Sequence, residues 1–98
     1  MYIAICDDDS KITSRLESGI RAIFKNLKDD VDVSVFFNGT DLIDTIKKEK
    51  IHYDILLLDV DMPNISGLEV AKILRETNED IIIIFISSYE KYVFDSFE

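Results

Sequence analysis

Positive charge is scarce in this 98-residue chain: eleven Lys and Arg stand against twenty Asp and Glu, a formal net charge of −9. That deficit argues against a stand-alone binder of nucleic acid or of an anionic membrane, since both need positive potential facing phosphates. Cysteine is nearly absent. With Cys6 alone no internal disulfide can form and no Cys-based zinc site is credible, which suits a reducing, cytoplasmic compartment. Apolar runs are short, none longer than the six residues of Ile81–Ile86, far below a membrane span. The first twenty residues carry no signal peptide, because the run after Met1 meets acid at Asp7. Repeats, linkers and low-complexity tracts are missing too. What is present suffices for folding: 47% of residues are hydrophobic, in a length that fits one domain.

The apolar pattern alternates between two periods. Tyr2–Cys6 reads as a buried strand halted by three acids. Ile12, Leu16, Ile20, Ile23, Phe24 and Leu27 then recur at steps of three and four, predicting a helix from about Asp9 to Asn26 with that face inward. Gly19 interrupts the pattern, and a close helix–sheet contact would explain it. Val31, Val33 and Val35 alternate with polar residues, as in a strand near a sheet edge. Asn38-Gly39-Thr40-Asp41 starts a short helix that ends in the polar run Lys47–Lys50. Ile55–Leu58 is a third strand, stopped by Asp59. Ser66-Gly67-Leu68-Glu69 fits a capping box before a helix carrying Leu68, Ala71 and Leu74 inward. Ile81–Ile86 is a fourth strand, and Glu90–Phe97 begins another helix. Strands and helices alternating in this way predict an α/β fold with a doubly wound parallel sheet.

In such a sheet, ligands bind outside the carboxyl ends of the strands. The acids fall there: Asp7, Asp8 and Asp9 close the first strand and Asp59 the third. If those strands are neighbours, as the flavodoxin-like order makes them, Asp7, Asp8 and Asp59 share one pocket. Three clustered carboxylates repel one another, so either one takes up a proton or a cation binds. Hard oxygen ligands suit Mg²⁺ or Mn²⁺ rather than zinc. The plainer reading assigns Asp9 or Ser10 as the N-cap of the first helix. It leaves Asp7, Asp8 and Asp59 without a capping role. Ser87 and Ser88 place hydroxyls on the same rim, where a loop role and a phosphate-binding role both stand open.

The segments IAICDDD, DILLLDVDMPNISGLEVAKILRE and IIIIFISSYEKYVFDSFE resemble, in order and spacing, the receiver domain of bacterial two-component response regulators. The last is similar to receivers that precede LytTR-type DNA-binding domains. The resemblance implies a flavodoxin-like sheet of order 2-1-3-4 and a cytoplasmic phosphoacceptor taking a phosphoryl group on Asp59 from a sensor histidine kinase. It implies Mg²⁺ held by Asp8, by Asp7 through water, by Asp59 and by the Asp61 backbone carbonyl. Ser87 occupies the position whose hydroxyl binds the phosphoryl group and drives the switch to an output. Asp61 and Tyr89 stand two residues after Asp59 and Ser87, where the family tunes phosphoryl loss. Receivers of this family also carry a Lys on a fifth strand, followed by a fifth helix. Here the chain stops at Glu98 and Lys91 comes too early, so residues 1–98 are expected to be a receiver incomplete at its C-terminus. That would leave Ile81–Ile86 as an apolar edge prone to self-association.

Two other readings compete. A receiver-like interaction module that is not phosphorylated is favoured by the missing Lys and disfavoured by the retained Asp7, Asp8, Asp59 and Ser87. Asp59-Val60-Asp61 also resembles the first motif of haloacid-dehalogenase-type phosphatases, but there the acidic pair lies downstream of the nucleophile. Here it lies upstream. The remaining features have bland readings: Cys6 as a buried strand residue, His52 as surface loop, and Lys47, Lys48 and Lys50 as a solvated helix end.

Overall fold

A computed structural model describes residues 1–77 and 80–87. The helix expected over 90–97, with Ser88, Tyr89 and Lys91, lies outside the described residues. The elements run β1 (Tyr2–Cys6), α1 (Ser10–Asn26), β2 (Asp32–Phe36), α2 (Gly39–Glu49), β3 (Ile55–Asp59), α3 (Gly67–Thr77) and β4 (Ile82–Ile86). All pairings are parallel, in the order β2-β1-β3-β4, the flavodoxin-like arrangement expected.

Each strand alternates its side chains between two layers. Ala4 and Cys6 of β1 and Leu56 and Leu58 of β3 join Leu42, Ile43, Val70, Ala71 and Leu74 in one core beneath α2 and α3. The opposite parity, with Ile3 and Ile5, faces α1, which packs on β1 and β2. Asp54 ties the strand starts together. Its carboxylate accepts from Tyr2 N at 2.8 Å, and its carbonyl accepts from Ile82 N at 3.0 Å.

Local signals set the helix starts. Asp9 caps α1 by accepting from Lys11 N at 2.9 Å, and Asn38 caps α2 by accepting from Asp41 N at 2.8 Å. Ser66 Oγ accepts from Glu69 N at 3.2 Å at the start of α3. Lys50 closes α2 in the left-handed region at φ 51°.

Helix phase departs from the sequence reading at three places. Leu68 is 59% exposed, because α3 turns Gly67, Val70, Ala71 and Leu74 inward and Leu68 stands a residue off that stripe. Ile23 and Leu27 are exposed as well. The 17 residues of α1 span about 25 Å, whereas a five-residue strand covers about 17 Å, so the last turns overrun the sheet. Among the described residues, and apart from its chain neighbours and its own helix backbone, no atom lies within 4 Å of where a Gly19 Cβ would sit, so no close helix–sheet contact is seen there. β4 is the outer strand among the described residues, with Ile82, Ile84 and Phe85 about half exposed.

Candidate functional site

The parallel register builds the site. Cys6 pairs with Leu58, so one step further along both strands Asp7 and Asp59 emerge side by side with the same parity. Asp7 is 2% exposed and Asp59 1%, whereas Asp8 is exposed. One carboxylate oxygen from each of Asp7, Asp8 and Asp59 lies within 4.8 Å of the others. The three carboxylates anticipated at the strand ends therefore do meet.

Backbone amides orient the two buried carboxylates. Asp7 Oδ1 accepts from Asp9 N at 2.9 Å, and Asp59 Oδ1 accepts from Asp61 N at 3.2 Å. Both are turns in which an Asp accepts from the amide two residues on, at the points where strands become loops. Asp61 follows with its side chain exposed and its backbone beside the cluster. Ile86 is the register partner of Asp59, and its carbonyl accepts from Val60 N at 3.1 Å. Ser87, half-buried, therefore stands at the same end of the neighbouring strand. His52 sits in an exposed loop before β3, at the opposite end of the sheet.

The loop from β3 to α3 is held against the sheet at both ends. Gly67 N donates to Val60 O at 2.9 Å. A Cβ on Gly67 would press into Asp59 O and lie 2.9 Å from the Asp59 carbonyl carbon. Gly39 is as crowded: a Cβ there would lie 2.5 Å from Val70 Cγ2 and 2.8 Å from Ile65 Cγ2. The motif around Gly67 pointed to its helix start. Nothing in the local sequence announced Gly39 as the point where α2 meets the β3–α3 loop.

Two hard-oxygen carboxylates buried at one crest, with a third beside them, match the donor set of a small divalent cation. The same negative charge reaches the residue beneath. Burial first, then Asp7 and Asp59, push the Cys6 thiol up to about 12. Among the described residues, no helix is long and apolar enough to cross a membrane.

Comparison with known proteins places this geometry in a family. The response regulator receiver domain matches residues 3–96. The response regulator protein TodT of Pseudomonas putida is 37% identical over 87 residues, 89% of this chain and 35% of TodT. The sensory transduction protein LytT of Oceanobacillus iheyensis is 41% identical over 63 residues, 62% of this chain and 25% of LytT. The chain thus spans about a third or less of these curated relatives. Among solved structures, the response regulator TrrA of Thermotoga maritima, in complex with Mg²⁺ and BeF, superposes with a TM-score of 0.76 at 29% identity. That match covers 96% of this chain and 75% of TrrA. In complex with the histidine kinase ThkA, TrrA matches with a TM-score of 0.67 at 31% identity, over 90% of this chain and 69% of that one. With its strand order, its carboxylate crest and a family match over nearly its whole length, the chain belongs to the receiver domains of response regulators.

Proposed function

We propose that Asp59 is the phosphoacceptor of this receiver and that Asp7, Asp8 and Asp59, with the Asp61 backbone carbonyl, hold Mg²⁺. The observation that carries this reading is the meeting of three carboxylate oxygens within 4.8 Å at the sheet's carboxyl end. Asp8 and Asp59 would hold the ion directly and Asp7 through water, and Mn²⁺ would suit the same donors. When bound, the ion neutralises charge on the phosphoryl group in transfer. An Asp59 carboxylate oxygen attacks the phosphorus of a phosphohistidine, the O–P bond forms as the P–N bond breaks, and the imidazole nitrogen leaves with the electron pair. The amide of Asp61 donates to Asp59 Oδ1 and so helps to orient the carboxylate.

Once Asp59 is modified, the Ser87 hydroxyl donates to a phosphoryl oxygen and draws the end of β4 inward, which biases an output. Asp61 and Tyr89, assigned from their sequence positions two residues after Asp59 and Ser87, modulate the loss of the group. The domain acts as a regulatory phosphoacceptor that assists its own phosphorylation and dephosphorylation. Its donor is a sensor histidine kinase, a reading supported by the ThkA complex of TrrA. A LytTR-type DNA-binding output is supported by the likeness to LytT, and the protein works in the cytoplasm.

The test is phosphate incorporation from a small acyl-phosphate donor with and without Mg²⁺. The parent is expected to gain one phosphoryl group only with the ion, and Asp59→Asn none. Equal labelling of Asp59→Asn overturns the assignment.

A further inference from the structure

Beneath the carboxylates the crest is braced by a sulfur contact. Cys6, at the end of β1, is fully buried, and its Sγ donates to Met62 Sδ at 3.8 Å. On its other side Met62 Cε comes to 3.8 Å from where a Cβ on Gly39 would sit. Met62 is partly buried against the core under α2 and α3. It directly follows Asp61, whose amide is bonded to Asp59, and it reaches β1, the strand that delivers Asp7 and Asp8. One side chain therefore spans the two strand ends that carry the carboxylates.

We propose that Met62 is a positioning residue for the divalent cation at the crest. Seated between Cys6 and Gly39, it holds the backbone of Asp61 in place relative to Asp7 and Asp8. This rests on the Mg²⁺ reading above. Thiol and thioether are a weak donor and a weak acceptor, so shape carries more of the effect than sulfur polarity. Met62→Leu keeps the volume and should support the site, whereas Met62→Ala leaves the Asp61 segment unbraced.

The experiment is an Mg²⁺ titration of the protein followed by amide NMR and calorimetry, beside urea unfolding in EDTA. It compares the parent, Met62→Ala, Met62→Leu, Cys6→Ala and the double alanine variant. Met62→Ala is expected to weaken Mg²⁺ binding on the order of tenfold, the low end of what supporting residues cost a metal site. Met62→Leu should stay within roughly twofold of the parent, as a volume-conserving exchange. The two alanine changes should together cost less than the product of their separate effects, because they remove one shared contact. A lowered urea midpoint with unchanged Mg²⁺ affinity in Met62→Ala overturns the inference and leaves the Mg²⁺ reading standing. A parent that shows no saturable response to Mg²⁺ overturns both. Should Met62→Ala fail to fold, Met62→Val and Cys6→Ala carry the same comparison, and unchanged affinity in both refutes the role.

Discussion

Replacing Gly67 by Ala puts the packing of the crest to a quantitative test. The new methyl would press into the carbonyl oxygen of Asp59 while lying 2.9 Å from its carbon and 3.0 Å from Val60 Cα. All three are backbone atoms, so no rotamer change relieves the overlap and α3 must back away from the end of β3. Retreat breaks the 2.9 Å bond from Gly67 N to Val60 O, a loss of about 1 kcal/mol. It also loosens Val70 and Ala71, buried in the first turns of the helix, and forced shifts in a packed core cost about 1–3 kcal/mol. The better helix propensity of Ala returns up to about 1 kcal/mol. The balance is a destabilisation of about 2 kcal/mol, a sizeable part of a total that is about 5–15 kcal/mol for an ordinary domain. Gly19→Ala is the internal control. It makes the same chemical change in an open helix interior and should stabilise by about 0.5–1 kcal/mol. Urea unfolding followed by circular dichroism reads both, and the two midpoints should move in opposite directions. A Gly67→Ala midpoint at or above the parent's would refute the claim that α3 is clamped to the carbonyl of Asp59.

One further outcome is expected. The thiol of Cys6 ionises near 9.0 when unfolded and near 12 when folded, so the native state holds the proton more tightly. Its stabilising effect is complete below pH 9 and falls by about 1.4 kcal/mol per pH unit from there toward 12; a stability difference between parent and Cys6→Ala that stays flat from pH 8 to 11 contradicts this.

The parts of the site that were legible in the sequence are those tied to strand ends. Asp7, Asp8 and Asp59 follow directly on the apolar runs Tyr2–Cys6 and Ile55–Leu58. Once parallel pairing is granted, period-two geometry brings Asp7 and Asp59 together, and Asp8 follows in the turn beside them. Asp9 and Asn38 were legible for a related reason, since a cap is a contact within three residues. Helix phase was less so. Leu68 and Leu27 are apolar residues at helical spacing, yet both are exposed, because one stands a residue off the stripe of α3 and the other lies past the end of the sheet. Neither condition is local. Gly39 and Met62 show the same limit more sharply, since their significance lies in contacts with Val70, Ile65 and Cys6, partners 26 to 56 positions away. Chemistry concentrated at the ends of elements can be read along the chain, whereas the bracing that fixes its geometry runs across the sheet. The Cys6–Met62 contact is therefore where perturbing the fold and perturbing the cation site can be told apart.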